Sequence, residues 1–127
     1  MKTYQGTRFT KEHEWARLEG GEVYIGISDY AQHAMGDIVF VELPKAGKKI
    51  KAGEQVSVVE SVKTASDVYS PVSGTVVRIN DVLNDSPELL NAEPYENWIA
   101  VIAADDPAET DKLMNDQQYA DFCAKEG

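Results

Sequence analysis

A single lysine, Lys63, lies at the centre of the segment VESVKTASD, residues 59–67, and no other basic residue occurs between Lys51 and Arg78. Its neighbours are in near-mirror order: Ser61 and Ser66, then Glu60 and Asp67. Lysine places a compact amine on a long, flexible stem, and acylation of that amine removes its charge. One function that such a pattern would suit is that of a carrier lysine, which is loaded covalently and moves its cargo between partners. An ordinary exposed lysine on a hairpin is the alternative.

A tight turn is the element that would fix the base of such an arm and leave its end free. We take residues 62–65 as the tip between two strands, which pairs the mirrored serines and the mirrored acids with each other. Lys63 then occupies the first central position of a type I turn. Glu60 and Asp67 would help a modifying enzyme to recognise this tip.

Other kinds of chemistry find little support in the sequence. Cys123 is the only cysteine, so it forms no internal disulfide. His13 and His33 are far apart and have no cysteine at metal-ligand spacing, so no metal site is predicted. Neither a glycine-rich phosphate loop nor a Gly-x-Ser-x-Gly motif is present.

The composition favours one globular domain spanning residues 1–127, since 43% of the 127 residues are apolar. A net charge of −10 argues against nucleic-acid binding, because phosphate backbones would be repelled. Much of that charge lies in residues 101–127, which we interpret as a solvated helix face. No run approaches the roughly 18 apolar residues of a membrane span, and the N-terminal residues resemble no signal peptide.

Period-2 alternation and turn residues predict a β-rich chain. Residues 12–27 read as two strands joined at Gly20 and Gly21. A short helix follows over 28–36, with Ser28 as N-cap and Gly36 after its end. Further strands are predicted at 37–44, 55–61, 67–79 with a break at Pro71 and Gly74, and 97–103.

Two features refine this outline. The segment Gly36-x-Ile38-Val39-x-Val41 is echoed by Gly74-x-Val76-Val77-x-Ile79, which two similar β-halves packed face to face would explain. Asp106, Pro107 and Glu109 have the types and spacing of an N-cap, N1 and N3, so a C-terminal helical appendage is predicted, with a second piece capped by Asn115 or Asp116.

The sequence resembles the glycine cleavage system H protein family from about His13 to about Phe122. The resemblance is carried by the following segments: HEW (13–15), GISDYAQ (26–32), GDIVFVELP (36–44), AGE (52–54), VESVKTASD (59–67), PVSG (71–74) and NDSPELLNAEPY (84–95). Biotin carriers typically have Met-Lys-Met at the tip, and lipoyl domains of 2-oxoacid dehydrogenases often have Asp-Lys-Ala. Glu-Ser-Val-Lys followed by Ala-Ser-Asp is the H-protein form.

The resemblance implies a mostly β, flattened barrel-sandwich of two antiparallel sheets, like lipoyl and biotinyl carriers. It would have a short helix near 28–35 and C-terminal helices at about 107–125. It also implies lipoic acid on Lys63, with Glu60, Ser61, Val62, Ser66 and Asp67 as recognition residues of the attachment loop. The chain would be a carrier and not an enzyme.

The partners that the resemblance implies are three enzymes of the glycine cleavage system and the lipoyl-modifying enzymes. The arm would take the aminomethyl group from the glycine decarboxylase (P protein) to the aminomethyltransferase (T protein). Lipoamide dehydrogenase (L protein) would then reoxidise the arm, and lipoyl-modifying enzymes would attach the lipoyl group to the lysine. A monomer is expected, in the bacterial cytoplasm rather than as a mature mitochondrial matrix protein.

In the family the loaded arm folds into a cleft, where a protonated amine would need a carboxylate. Glu14 and Asp67 are the candidates, with Glu12 as a third. A solvated strand charge for Glu14 and a hairpin-stabilising role for Asp67 are the alternatives. The segment 94–98 departs from the family pattern by lacking a glycine, which makes Asn97 a candidate for the left-handed conformation.

A lipoyl or octanoyl relay, which hands the group on to other carriers, would use the same lysine. The sequence hardly separates this function from glycine cleavage. Deleting the gene and measuring both glycine cleavage and the lipoylation of 2-oxoacid dehydrogenases would separate them. A β-domain with an unmodified Lys63, binding another protein through its acidic helix, is the third alternative.

Overall fold

The computed structural model describes residues 6–126, and these are organised mainly as antiparallel β-structure. The first five residues of the predicted non-signal N-terminus, and Gly127, lie outside the described residues. The strands are β1 (Thr7–Phe9), β2 (Glu14–Glu19), β3 (Glu22–Ile27), β4 (Ile38–Glu42), β5 (Lys49–Ile50), β6 (Gln55–Ser61), β7 (Ala65–Tyr69), β8 (Gly74–Ile79) and β9 (Ala100–Ala104). The α-helices are α1 (Asp29–Met35), α2 (Val82–Asp85), α3 (Leu89–Ala92) and α4 (Asp116–Glu126), and a 3-10 helix spans Pro107–Lys112.

The strands form two sheets, and every neighbouring pair is antiparallel. The larger sheet has the order β1-β2-β3-β9-β8-β5 and the smaller has the order β4-β6-β7. Buried side chains from both sheets, including Ile25 and Ile102 from the larger and Val41 and Val59 from the smaller, belong to one hydrophobic cluster. The predicted mostly β fold with two antiparallel sheets is confirmed, and neither sheet closes on itself.

The β2–β3 hairpin is the best predicted element, because its turn chemistry and its alternation agree. Gly20 and Gly21 connect the strands with φ of 59° and 85°, values that glycine adopts without a steric penalty. Within the hairpin Trp15 lies opposite Gly26. The fully buried indole of Trp15 covers the glycine, so that a Cβ at Gly26 would lie 2.7 Å from its Nε1.

We expect Gly26→Ala to destabilise the fold by roughly 1–3 kcal/mol, the usual cost of overpacking a closed core. Urea unfolding measures it. The matched test is the same substitution in a Trp15→Phe background, because the smaller ring lacks the indole atoms that the new methyl group meets. The two substitutions should then be strongly non-additive, whereas simple additivity would show that the indole is not the obstacle.

The predicted repeat corresponds to equivalent positions in the two sheets. β4 has a register irregularity between Ile38 and Phe40, and β8 has one between Val76 and Arg78. The residue inside each bulge, Val39 or Val77, is exposed, and the residue before it is buried. The two halves therefore share a backbone irregularity as well as a similar sequence.

Helices α1 and α4 begin where the capping residues predicted them, whereas the short helices α2 and α3 have no side-chain caps and were not predicted. Ser28 Oγ accepts a hydrogen bond from the Ala31 N–H at the start of α1, and Gly36 ends the helix with φ of 79°. Asn115 caps α4 by accepting from the Gln118 N–H. Glu109 does not complete a capping box, because its carboxylate accepts from the Ser73 N–H instead, and the segment after Asp106 is a 3-10 helix. None of the helices in residues 6–126 is long and apolar enough to cross a membrane.

Candidate functional site

Lys63 lies in the turn between β6 and β7, and the hydroxyl of Ser61 organises that turn. Ser61 Oγ accepts hydrogen bonds from the N–H groups of Lys63 and Thr64, both at 3.2 Å. The Ser61 N–H donates to the Thr64 carbonyl over 2.7 Å. A serine side chain commonly competes with the backbone for such donors in turns. The base of the lysine is therefore fixed while its side chain is exposed.

The predicted pairing of the hairpin is wrong, although the predicted turn is present. Glu60 lies opposite Ala65 and Val59 lies opposite Ser66, so the mirrored serines and the mirrored acids do not face each other. The turn comprises residues 61–64, and Lys63 occupies its second central position, not the first. The physical reason is the Ser61 hydroxyl, whose hydrogen bonds make Ser61 the first residue of the turn.

The aliphatic part of the Lys63 side chain lies against the junction between α1 and β4. A Cβ at Gly36 would lie 3.3 Å from Cε of Lys63, and the Val62 N–H donates to the Asp37 carbonyl over 3.0 Å. Gly36 thus serves two purposes: it ends the helix with a positive φ, and it leaves room for the lysine stem. The turn is consequently attached to the rest of the fold beside the end of α1.

A cleft of about 170 Å³ lies between α1, β2 and the edge strand β7, and Ala34 and Met35 at the C-terminal end of α1 are among its lining residues. All three predicted cleft carboxylates, Glu12, Glu14 and Asp67, line it. Its apolar lining consists of Ile27, Ala31, Ala34, Met35, Val59 and Val68. An apolar channel with carboxylates suits an arm that is apolar along its length and cationic at its end.

Glu14 is buried, being only 3% exposed, so its interpretation as a solvated strand charge is wrong. One carboxylate oxygen accepts from the Thr10 hydroxyl at 2.6 Å and the other from the Tyr69 N–H at 3.1 Å. Burial raises the pKa of Glu14 above its ordinary value; the hydrogen bonds from Thr10 and Tyr69 oppose the shift, and the charge of Glu12 adds to it. Each oxygen has a second lone pair for another donor.

This raised pKa gives a stability prediction with a definite sign. The native state holds the Glu14 proton more tightly than the unfolded chain does. The contribution of Glu14 to the free energy of unfolding therefore falls as pH rises from about 4.5 through the folded-state pKa. Glu14→Gln removes this contribution. We therefore expect the wild-type free energy of unfolding, minus that of Glu14→Gln, to decrease across this range in urea titrations. A difference that is flat or rises with pH would contradict the assignment, since the other carboxylates cancel in the comparison.

The other predicted site residues surround the turn. Glu60 and Val62 are exposed, and Ser61 holds the turn as described. Ser66 lines the cleft beside Asp67, whose carboxylate also accepts from Gln55 Nε2 at 3.2 Å. Asp67 is thus in place for the cleft role and for the hairpin-stabilising role alike.

His13 is a cleft residue that sequence reasoning missed as such. It has φ of 69°, a left-handed conformation that costs a residue with a side chain roughly 1–3 kcal/mol. Its ring stacks on Tyr30 with centroids 4.3 Å apart, and its Nδ1 lies 2.7 Å from the Tyr119 hydroxyl. That hydroxyl also contacts Ser28 Oγ at 2.7 Å, so a residue of α4 links the cleft wall to the N-cap of α1.

Residues 94–98, which lack the glycine of the family pattern, do not adopt the conformation that was predicted for them. Within residues 6–126, His13 is the non-glycine residue with positive φ, so Asn97 does not adopt the left-handed conformation. Its side-chain amide instead donates to the carbonyl of Glu93 at 2.9 Å and to that of Leu89 at 3.3 Å. These bonds close the segment after α3 without a glycine.

The chain matches the family model for the glycine cleavage H-protein over residues 7–126. A glycine cleavage system H protein of Alkaliphilus oremlandii is 53% identical over 126 residues, covering 99% of each chain. The chain belongs to the glycine cleavage H-protein family. Another relative, the glycine cleavage system H protein 2 of Pseudomonas putida, is 57% identical over 113 residues, covering 88% of this chain and 89% of that one.

A crystal structure of a glycine cleavage system H protein from Mycobacterium marinum has the same fold. Its TM-score is 0.87 at 32% identity, with 96% of this chain and 99% of that chain covered. As a member of the H-protein family, the chain is a non-catalytic carrier component of the glycine cleavage system, and its cofactor is lipoic acid. These sequence predictions are confirmed.

Proposed function

We propose that Lys63 bears the lipoyl group and that the cleft beside it shelters the arm when it is loaded. The observation that carries this proposal is an exposed lysine on a turn pinned by Ser61, whose stem lies against Gly36, the residue after Met35, in a fold where Met35 and three carboxylates line one cleft. When bound, the lipoyl group would supply a disulfide that is reductively opened as it accepts the cargo and that is left as a dithiol once the cargo has been passed on. The protein would position the arm and surround it with apolar side chains and carboxylates.

Each part of the cleft suits one part of the arm. The apolar side chains of Ile27, Ala31 and Met35 would cover the hydrocarbon stem, and the stem loses no charge interaction there because the amide nitrogen is neutral. The carboxylates Glu14, Asp67 and Glu12 would hold an ammonium at the cargo end. Excluding water from that end would slow hydrolysis of the cargo.

The partners follow from this use of the arm. We propose that the glycine decarboxylase (P protein) loads it, the aminomethyltransferase (T protein) unloads it, and lipoamide dehydrogenase (L protein) restores the disulfide. We further propose that the carrier is a monomer of the bacterial cytoplasm, in keeping with its bacterial relatives. An acidic chain of net charge −10 would approach basic docking surfaces faster at low ionic strength.

Intact-mass spectrometry of the protein purified from its native host tests the attachment site directly. We expect the mass of one lipoyl amide, and peptide mapping should place it on Lys63. The peptide that contains Lys51 serves as an internal control, since that lysine is also exposed. Unmodified protein from lipoate-replete cells, or a lipoyl group mapped to another lysine, would refute the proposal.

A further inference from the structure

Three large apolar side chains are exposed at the lysine end of the smaller sheet. Val62 is 67% exposed, Val39 is 55% exposed and Phe40 is 48% exposed. Val62 precedes Lys63, and its N–H binds the carbonyl of Asp37 just before β4. We call Val39, Phe40 and Val62 the tip patch. Exposed apolar side chains grouped at one end of a sheet are candidates for a binding surface.

The backbone is shaped to present this patch. In a regular strand successive side chains point to opposite faces, so one of Val39 and Phe40 would face the core. The bulge between Ile38 and Phe40 inserts an extra residue, and both side chains are therefore exposed while Ile38 and Val41 are buried. Bulges commonly redirect side chains near functional sites.

The second half of the repeat serves as an internal control for this interpretation. β8 has the same bulge, and the residue that corresponds to Phe40 is Arg78. Arg78 donates to the carboxylate of Glu22 at 2.8 Å. A bulge of this kind thus accommodates a polar, ion-paired side chain at that position. Phe40 is therefore not required by the backbone, and its exposure at the lysine end needs another reason.

The surroundings of the tip patch indicate the chemistry of its partner. Asp37, Glu42 and Glu60 are exposed around it, and Glu60 lies opposite Phe40 in the β4–β6 pair. Lys63 is the only basic residue of segment 59–67 and none occurs in 37–44. A complementary partner would have an apolar pocket ringed by lysine or arginine side chains, a common arrangement of a buried anchor with a charged rim.

We propose that the tip patch is the docking site for the enzyme that attaches the lipoyl group to Lys63, an inference that rests on Lys63 being the attachment site. In that reaction the deprotonated amine of Lys63 attacks the carbonyl carbon of an activated lipoyl group, an acyl adenylate or thioester. The C–N bond forms, the bond to the leaving group breaks, and the nitrogen gives up one proton. The attaching enzyme must bind within one side-chain length of that nitrogen.

The geometry distinguishes this partner from the others. An enzyme that acts on the dithiolane meets the far end of a long arm, so it has no need to contact the base of the lysine. The tip patch adjoins the base of the lysine itself, since Val62 directly precedes Lys63 and Phe40 lies opposite Glu60. The tip patch therefore suits the enzyme of lipoyl attachment, the one reaction that takes place before Lys63 bears a lipoyl group.

Steady-state lipoylation of the unmodified carrier by a purified lipoate ligase with ATP and lipoate tests the proposal. Phe40→Thr keeps a side chain that favours strands and removes the proposed anchor. We expect kcat/KM for the carrier to fall at least tenfold, mainly through KM, as for the loss of an interface anchor. Val39→Thr should cause a smaller loss. Val77→Thr, at the equivalent bulge of β8, is the matched control and should leave the rate unchanged.

Two further measurements keep the interpretation open to refutation. Urea unfolding checks that Phe40→Thr is folded, and prolonged incubation yields its fully lipoylated form, whose reduction by lipoamide dehydrogenase should proceed at the wild-type rate. An unchanged kcat/KM for lipoylation would overturn the docking proposal, and so would an equal loss in Val77→Thr or a loss confined to the dehydrogenase step. Wild-type protein that is not lipoylated at Lys63 would instead refute the proposed attachment site.

Discussion

Lys63→Arg should leave a folded protein that has no carrier activity. Arginine keeps the positive charge, but its guanidinium stays protonated and offers no amine for amide formation. Because the Lys63 side chain is exposed, we expect the free energy of unfolding to stay within about 0.5 kcal/mol of wild type. In a reconstituted system, glycine decarboxylation coupled to the carrier should fall to background, at least a hundredfold, and intact-mass spectra should show no lipoyl amide.

Lys51→Arg is the matched control, since Lys51 is exposed in a loop at the other end of β6. It should be lipoylated and active at the wild-type level. Decarboxylation above background in Lys63→Arg, without added free lipoate, would show that another residue carries the cofactor. A misfolded Lys63→Arg protein would contradict the finding that the lysine side chain is not part of the core.

The lysine turn shows how far sequence reasoning reaches at this site. The residue types around Lys63 suffice to predict an exposed turn. The register is not predictable from the residue types alone, since it follows from the Ser61 hydroxyl accepting from the N–H groups of Lys63 and Thr64. Symmetry of residue types is a weak guide to register: Glu60 lies opposite Ala65, two residues from the predicted partner Asp67, and the geometry of the turn decides between such registers.

The helices were predictable where a single residue type fixes the backbone. Ser28 and Gly36 define α1 because a hydroxyl can cap a helix and glycine can adopt positive φ. Glu109 had the spacing of a capping box, yet it binds the Ser73 N–H 36 residues away in sequence. Long-range competition for one carboxylate leaves no local signal, so the 3-10 geometry after Asp106 was not predictable.

The cleft was predictable from family resemblance but not from residue patterns. The alternation in residues 12–19 does not reveal that Glu14 is buried, since burial depends on β7 donating the Tyr69 N–H from 55 residues away. The sequence around His13 does not indicate its left-handed backbone conformation either. Its contact with Tyr119 joins residues 106 positions apart, which a single sequence does not reveal.

Glu14→Ala should shorten the lifetime of the loaded carrier by about tenfold or more while leaving lipoylation intact. The proposed ammonium of the cargo would lose a buried carboxylate, and a hydrogen bond to a charged group contributes about 1.5–3 kcal/mol. A cation entering the cleft favours the ionised form of Glu14 and so opposes the effect of burial on its pKa. The measurement is ammonia release from carrier loaded by the decarboxylase, followed without the transferase.

Glu14→Gln separates the charge from the shape of the side chain. Glutamine can still accept a hydrogen bond from Thr10 or Tyr69, so the cleft should keep its form while the ion pair is lost, and the lifetime should shorten nearly as much as in Glu14→Ala. Glu19→Gln, an exposed carboxylate at the far end of β2, should have no effect. A wild-type lifetime in both Glu14 variants would remove Glu14 from the cargo site and leave Asp67 and Glu12 as the carboxylates to test. A short lifetime in Glu14→Ala alone would assign Glu14 to the shape of the cleft, since only the alanine removes its contacts with Thr10 and Tyr69.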